Sequence, residues 1–430
     1  MALTWRAVAL AALGLAAVVL VPTTATALAW GVLVAAVCLV DLALAASPRE
    51  VALTRSVPRS VRLTETTRST LVVTNRSGRR LRATLRDAWQ PSAGATRNRH
   101  EVDVPDGEAR RVVTPLRPTR RGDRLADRVT IRSYGPLRVA ARQASVAVPG
   151  RLRVLPEFAS RRHLPSRLAR LREMDGRTAV QIRGAGTEFD SLREYVIGDD
   201  VRSIDWRATA RRSEVVVRTW RPERDRRVLV VLDTSRTSAA RIGDVPRIDA
   251  SIEAALLLSA LASRAGDRVD LIAYDRRLRA QVTGANGPRL LPELADALAP
   301  VDPALVEADW PAVVATVRQR LSQRALVVLL TSLEPAAVES GVLPVVAPLA
   351  HDHTVVLASV ADPEVAALRG RRDGSDEVYD AAAAERTELE RAAVSIRLRQ
   401  RGVEVVDALP EELAPRLADT YLALKAAGRL

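Results

Sequence analysis

The chain has 430 residues, of which 47% are hydrophobic and 27% are charged, and its formal net charge is +14. This length predicts two or three folded units, and the hydrophobic content excludes a wholly disordered chain. The single cysteine, Cys38, excludes a disulfide framework and a thiolate metal site.

Two apolar runs, residues 7–21 and 25–46, lie at the N-terminus and are joined by an uncharged turn. Each run is close to the ~20 residues that a membrane-spanning helix needs. Arg6 precedes the first run, and Arg49, Arg55 and Arg59 follow the second. The positive-inside rule therefore predicts a two-helix transmembrane hairpin over residues 1–48 of a cell membrane protein, with the N-terminus and the C-terminal domains cytoplasmic.

A signal peptide cleaved near Ala27 is the alternative for the first run, and it leaves the later residues on the same side of the membrane. Asp41 is the one ionisable residue within the second run. Such a residue is a candidate for function. Its place near the cytoplasmic end favours snorkelling to the surface or pairing with Arg49.

The charge is distributed unevenly along the chain. Residues 49–150 carry 22 arginines and 9 acidic residues, whereas residues 228–430 carry 23 basic and 29 acidic residues. A basic segment beside an anchor suits the anionic inner leaflet, so the lipid bilayer is a predicted partner. Nucleic acid is not expected as a partner, because acidic residues are interspersed among the arginines and no aromatic stacking positions accompany them.

Residues 49–156 predict a β-rich, sandwich-like domain. Short alternating stretches such as residues 69–74 and 128–132 are separated by turn signals, among them the segment 75–78. No catalytic pattern occurs here, and His100 is expected to be a solvated surface residue.

Residues 227–430 predict an α/β domain. The apolar run 228–232 is typical of a strand buried on both faces of a parallel sheet. Strands are predicted at 269–274, 325–330, 354–359 and 403–406, and helices at 248–265, 289–298, 310–322, 381–400 and 411–427. The alternation indicates a doubly wound parallel sheet, with ligands bound beyond the carboxyl ends of its strands.

The loop after the first of these strands carries oxygen-bearing side chains at alternate positions: Asp233, Ser235 and Thr237. One carboxylate and two hydroxyls can converge on a hard cation such as Mg²⁺. The alternative is that Asp233 caps the following turn and the hydroxyls satisfy backbone groups of the loop.

Residues 188–210, here called the hallmark segment, closely resemble the signature of the bacterial domain of unknown function 58 family. The matching positions include Arg193, Tyr195, Gly198, Asp199, Asp200, Arg202, Asp205 and Trp206. On this basis residues 157–226 are expected to link the β-rich domain to the C-terminal domain.

The resemblance implies a membrane-anchored protein whose C-terminal domain is von Willebrand factor A-like. Members are commonly encoded beside MoxR-type AAA+ ATPases, which implies such an ATPase as a partner. The expected function is therefore a non-enzymatic, protein-binding scaffold or adaptor in assembly or chaperone-like processes.

Metal-binding von Willebrand factor A domains use Asp-x-Ser-x-Ser, a threonine from a second loop and an aspartate after a later strand. Asp233 and Ser235 match this motif, and Thr237 keeps the third hydroxyl. Ser332 stands where the later aspartate is often found, and Thr283 is the nearest candidate for the second-loop threonine. The resemblance therefore implies a partial metal site with weak affinity for a divalent cation.

The hallmark segment has two interpretations. Its mixed charges can satisfy one another in a latch that packs on the C-terminal domain, or they can form a surface that a partner recognises. The first is favoured, because opposite charges at short spacing tend to pair.

Two other functional classes stay open. A metal-dependent phosphoryl-transfer enzyme would use Asp233 as the phosphate acceptor, although Ser235 stands where such enzymes have a second carboxylate. A basic membrane-surface or nucleic-acid-binding protein is the second alternative. The run 351–353, His-Asp-His, is expected to be a surface loop before a strand.

Overall fold

A computed structural model of the chain describes residues 2–179, 188–197, 199–212, 214–221, 226–371 and 373–430. The chain divides into two compact units, residues 1–157 and 158–430. Each unit is described separately below.

Two apolar helices begin the first unit, α1 (Trp5–Leu20) and α2 (Thr24–Leu44). They contact each other where the Trp30 indole donates a hydrogen bond to the Leu10 carbonyl, and Gly14 lets the ring approach closely. Among the described residues, one helix, Thr24–Glu50, is long and apolar enough to cross a membrane. The helix α1 is apolar but shorter.

The rest of the first unit is built from β-strands. They are β1 (Ala2–Leu3), β2 (Val51–Ser56), β3 (Ser60–Arg62), β4 (Thr67–Asn75), β5 (Leu81–Trp89), β6 (Arg99–Val104), β7 (Ala109–Leu116), β8 (Gly122–Tyr134) and β9 (Ala140–Leu155). One sheet has the order β1-β9-β8-β5-β6, with β3 paired to β9, and the other has the order β2-β4-β7. Alternate residues of both sheets form one core that includes Leu71, Leu85 and Ile131.

Asp41 is buried at the junction of α2 with this β-domain. Its carboxylate accepts hydrogen bonds from the backbone N–H groups of Leu137, Val139 and Ala140, at 2.7–2.9 Å. Arg49 is exposed. The prediction that Asp41 snorkels or pairs with Arg49 is therefore wrong, because the turn after β8 brings three backbone donors to its carboxylate.

The second unit begins with α3 (Leu164–Ala179) and the hallmark hairpin. Strands β10 (Glu188–Glu194) and β11 (Val216–Arg221) pair antiparallel, and α4 (Trp206–Arg212) lies between them. A small ribbon, β13 (Arg241–Ile242) with β14 (Val245–Pro246), lies further along the chain.

A six-stranded sheet forms the centre of this unit, in the order β16-β15-β12-β17-β18-β19. Its strands are β12 (Arg227–Asp233), β15 (Arg268–Tyr274), β16 (Leu278–Val282), β17 (Leu326–Leu330), β18 (Thr354–Val360) and β19 (Val403–Ala408). All neighbours are parallel except β15 and β16. The structure is thus mixed α/β, as predicted, but the antiparallel edge strand β16 was not expected.

Helices lie against both faces of the sheet. The helices of this part of the chain are α5 (Arg236–Ala239), α6 (Arg247–Arg264), α7 (Leu290–Leu298), α8 (Trp310–Arg320), α9 (Pro335–Ala337), α10 (Leu343–Asp352), α11 (Pro363–Leu368), α12 (Ser375–Gln400) and α13 (Pro410–Ala426). Along β12, Val230 packs with α6, α7 and α13, whereas Val231 on the opposite face packs with α8, α10 and α12. Burial on both faces explains the wholly apolar sequence of this strand.

Candidate functional site

The candidate site lies at the carboxyl edge of the six-stranded sheet. Asp233 ends β12, and its two neighbours β15 and β17 end beside it in parallel register. Asp275 follows β15 and Thr331 follows β17. Parallel strands bring the loops after them to one edge, so residues distant in sequence meet there.

Asp233 is 3% exposed, and both of its carboxylate oxygens accept hydrogen bonds. Oδ1 accepts from the backbone N–H of Ser235 at 2.8 Å. Oδ2 accepts from the hydroxyls of Thr237 at 3.0 Å and Thr331 at 2.6 Å. The structure therefore brings the predicted residues Asp233, Ser235 and Thr237 together and adds Thr331.

Burial raises the pKa of Asp233, while the hydrogen bonds from Thr331 and Ser235 act in the opposite direction. Removal from water penalises the charged form of a carboxylate, whereas donors that face it favour that form. The three donors therefore serve to keep a buried carboxylate satisfied.

A cavity of about 320 Å³ opens beside Asp233, with Thr237, Thr331, Asp309 and Trp310 among its lining residues. At its rim the Arg236 guanidinium pairs with Glu307. Asp309 caps α8 by accepting from the Ala312 N–H at 3.0 Å. The cavity is lined by both hydrogen-bonding and apolar groups, which is the usual character of a ligand or peptide site.

Arg247, the first residue of α6, is buried behind the same loop. Its Nη1 donates to the Thr237 carbonyl at 3.1 Å and to the Ser332 hydroxyl at 3.0 Å. Desolvation lowers the pKa of this guanidinium, and the charge of Arg391 adds to that effect. A buried cation thus contacts the residue that replaces the expected aspartate, a contact that the sequence did not reveal.

The donor set around Asp233 fits a tightly held divalent cation poorly. Among the described residues, no group of three His, Cys, Asp or Glu side chains could hold a metal ion. The Asp233 carboxylate already accepts hydrogen bonds from the hydroxyls of Thr237 and Thr331. The positively charged Arg247 side chain donates to the Ser332 hydroxyl, which disfavours a cation there. Thr283, the candidate for the second-loop threonine, is exposed after β16 and does not line the cavity.

Three aspartates of the hallmark segment accept hydrogen bonds from nearby groups of the hairpin. Asp199 accepts from Arg193 at 2.6 Å and from the Val196 N–H at 2.9 Å. Asp200 caps a short 3₁₀ turn by accepting from the N–H of Arg202.

Asp205 accepts from the N–H groups of Arg207 and Ala208 and from Arg218 Nε at 2.8 Å. The Ala208 N–H and the Arg218 guanidinium hold the pKa of this carboxyl below its usual range. The Tyr195 N–H donates across the hairpin to the Val215 carbonyl. Gly198 lies outside the described residues.

Apolar side chains of the same segment face solvent. The exposed fractions are 97% for Ile197, 69% for Trp206, 61% for Val201 and 60% for Val196. Because three of the aspartates are hydrogen bonded within the hairpin, these exposed apolar groups are a surface that the segment offers to a partner. Of the four, only Trp206 belongs to the predicted hallmark positions.

Two histidines differ from their predictions. His100 is half-buried, and its Nε2 lies 2.9 Å from the Thr114 hydroxyl, which donates to buried Asp87. His353 is 5% exposed, and His351 and Asp352 end α10, so they form no surface loop. Burial lowers the pKa of both His100 and His353. Burial therefore disfavours the protonated form of both imidazoles.

Residues 191–404 match the model of a protein family described as "Protein of unknown function DUF58". This match confirms the family resemblance inferred from the hallmark segment, and it extends through most of the six-stranded sheet. No curated protein matches the chain.

Several solved structures resemble about a quarter of the chain. A human seminal plasma complex of zinc α2-glycoprotein and prolactin-inducible protein has 13% identity and a TM-score of 0.20, over 24% of this chain and 92% of the other. Escherichia coli α2-macroglobulin has 19% identity and a TM-score of 0.21, over 26% and 18%. A CARDB domain from Pyrococcus furiosus has 16% identity and a TM-score of 0.17, over 23% and 94%. TM-scores this low support no inference about fold or function.

Proposed function

We propose that this chain, which belongs to the DUF58 family through residues 191–404, is a membrane-anchored scaffold or adaptor that binds a MoxR-type AAA+ ATPase. The observation that carries the proposal is the cavity at the carboxyl edge of the sheet, where Asp233, Thr237 and Thr331 line a space of about 320 Å³. The family resemblance supplies the class of partner, and the cavity supplies the surface.

We further propose that the C-terminal domain is von Willebrand factor A-like, with a doubly wound sheet. The strand order β16-β15-β12-β17-β18-β19 supports this assignment, with β12 at its centre and an antiparallel strand at one edge. The motif Asp233-x-Ser235-x-Thr237 follows β12, at the position from which such domains bind ligands.

The proposed anchor is a pair of transmembrane helices in a bacterial cell membrane. The helix α2 is long and apolar enough to span the bilayer, and exposed apolar residues such as Leu15, Val19 and Leu28 support the same role for both helices. Arginines at both ends favour a cytoplasmic location for the N-terminus and the C-terminal domains.

Two properties of Asp233 favour binding over catalysis. A phosphate acceptor needs a free, ionised carboxylate oxygen, whereas both oxygens of Asp233 accept hydrogen bonds from neighbours. Burial also raises its pKa, which disfavours the ionised form.

Mg²⁺ is proposed to bind this site weakly at most, because the Asp233 carboxylate is already hydrogen bonded and Ser332 replaces a second carboxylate. Recognition of the partner then rests on hydrogen bonds and burial in the cavity.

The test is binding of the full chain, reconstituted in nanodiscs, to the purified MoxR-type ATPase. Asp233→Asn and Thr331→Val should each weaken binding about tenfold or more, because each breaks hydrogen bonds that hold the loop beside the cavity in place. Asp352→Asn is the matched control, since Asp352 is half-exposed and precedes β18 at the opposite edge of the sheet. EDTA should leave binding unchanged.

Unchanged binding in both cavity variants, with loss of binding after substitutions in the hallmark segment, would overturn the role of the cavity. Loss of binding in EDTA would show that a metal takes part. Mg²⁺-dependent turnover of an aryl phosphate that disappears in Asp233→Asn would favour the phosphoryl-transfer alternative.

A further inference from the structure

A second cavity, of about 330 Å³, lies in the first unit between the start of α1 and the strands of the larger sheet. Its polar lining consists of Thr4, Arg6, Thr84, Glu101, Arg132, Tyr134 and Arg138. Three arginines and one glutamate give this lining an excess of positive charge.

The three guanidinium groups keep donors for a ligand. Arg6 uses Nη1 to donate to the Leu137 carbonyl at 3.1 Å, and Arg132 uses Nε and Nη2 on the Gln143 side-chain oxygen. The Arg138 guanidinium lies near Asp103 and acts on its charge, but Asp103 is paired with Arg80, and no hydrogen bond from Arg138 to it is seen within the part of the chain that the structure describes. Since each guanidinium carries five N–H groups, the cavity has donors left for an anion.

Arg138 also adopts an unusual backbone conformation, with φ at +57°. Glycine and asparagine reach this left-handed region more readily than arginine does. Hydrogen bonds from the N–H groups of Leu137 and Val139, on either side of Arg138, to the Asp41 carboxylate hold the turn in this conformation.

Apolar side chains surround the charged lining. Trp5 is 75% exposed, Leu3 is 68% exposed and Leu137 is 53% exposed. Leu3 and Trp5 line the cavity, and Leu137 adjoins Arg138 in the chain. Tryptophan beside arginine at the end of an apolar helix is typical of the membrane–water interface, where the ring meets lipid and the cation meets phosphate.

We propose that this cavity binds the phosphate headgroup of an anionic phospholipid of the inner leaflet. The guanidinium groups of Arg132 and Arg138 donate to the phosphate oxygens, and Leu3, Trp5 and Leu137 contact the glycerol and the upper acyl chains. A free phosphate would use the arginines alone, so the apolar rim favours lipid as the source of the phosphate. The proposal rests on the proposed membrane anchoring.

The test uses the full chain in detergent, titrated with phosphatidylglycerol or phosphatidylcholine, with bound lipid counted by native mass spectrometry. An arginine near a lipid phosphate is worth about fivefold in affinity. The double variant Arg132→Gln/Arg138→Gln should therefore lose about 30-fold in affinity for phosphatidylglycerol. Phosphatidylcholine should bind weakly to both chains, because its choline cation offsets the charge of the phosphate and is repelled by the arginines. Arg6 is left intact because it also holds the Leu137 carbonyl.

The double variant Arg110→Gln/Arg128→Gln is the control, since it removes two exposed arginines of the same unit that do not line the cavity. It should bind phosphatidylglycerol as the unmodified chain does. An equal loss of affinity in the control would show that diffuse surface charge binds the lipid and that the cavity is not a specific site. Unchanged affinity in Arg132→Gln/Arg138→Gln would refute the proposed site. Displacement of the lipid by inorganic phosphate at about millimolar concentration would also overturn the proposal, because the site would then be a phosphate site.

A separate measurement distinguishes failure of this site from failure of the anchor. If the chain partitions into the membrane fraction but does not prefer phosphatidylglycerol, only the headgroup site is wrong. If the chain is recovered outside the membrane fraction, the proposals of the anchor and of the headgroup site are both wrong.

Discussion

Asp41 offers the sharpest test of how the apolar helices attach to the β-domain. Its buried carboxylate receives the N–H groups of Leu137, Val139 and Ala140. Asp41→Asn preserves the shape of the side chain but removes the charge and replaces one acceptor by an NH₂ group that faces these donors.

The expected loss follows from the hydrogen bonds. A hydrogen bond to a charged group contributes roughly 1.5–3 kcal/mol, and a buried donor left without an acceptor costs about as much. Oδ2 accepts two of the three bonds and Oδ1 accepts one, so the amide can keep only part of the set. A net loss of about 3 kcal/mol in the local stability of the turn follows, which corresponds to opening that is on the order of 100-fold more frequent.

Hydrogen exchange of the full chain in nanodiscs measures this opening directly. The amides of Leu137, Val139 and Ala140 should exchange on the order of 100-fold faster in Asp41→Asn. Gly135→Ala should act on the same amides, since its Cβ would lie 2.2 Å from the Asp41 backbone oxygen and from Oδ1. Arg49→Gln is the control and should change nothing there. Unaltered exchange in Asp41→Asn would refute the attachment.

Two more predictions concern single side chains. Hydrogen bonds from Arg153 and Arg151, which outweigh partial burial, lower the pKa of Asp123 to about 2. This folded-state pKa is below the ordinary 3.8, so the stabilisation is complete above about pH 4 and is lost as the pH falls towards 2. Urea unfolding should show that Asp123→Asn costs about 1 kcal/mol at pH 7, after allowance for solvent screening, and clearly less near pH 2. Trp206→Ala should change the free energy of unfolding by less than about 0.5 kcal/mol, yet it should weaken ATPase binding about tenfold. Unchanged binding in the nanodisc assay would show that the exposed apolar surface does not bind the ATPase.

The central strands of the second unit could be predicted because burial on both faces of the sheet requires a continuous run of apolar residues. Residues of β12 and β17 are buried on both faces, so both strands are continuously apolar. The edge strand β16 contains Arg279 and Gln281 and has one partner, so its sequence resembles a loop. The helix α10 was not predicted, because it contains Pro348 and has Pro344 in its first turn. Proline ordinarily indicates the end of a helix.

The candidate site could be predicted only where its residues are close in sequence. Asp233, Ser235 and Thr237 lie on one loop, and their alternate spacing indicated that they converge. Thr331 and Arg247 contact the loop because β17 and α6 pack beside it. Such contacts between distant residues leave no local pattern in the sequence. The donors to Asp41 likewise come from a turn 96–99 residues away.

The attachment of the helices to the β-domain has a mechanical consequence. Strand β1, just before α1, pairs with β9 at Ala140 and Ala141, and the end of α2 is held through Asp41 to the same turn. The Arg142 side chain adds a bond to the Leu42 carbonyl at 2.9 Å. Both helix ends are thus fastened to one place, without a free linker. In the proposed membrane-anchored state, a change in the tilt of the helices would turn the β-domain with them, so thickness or tension of the bilayer could set the direction in which that domain points.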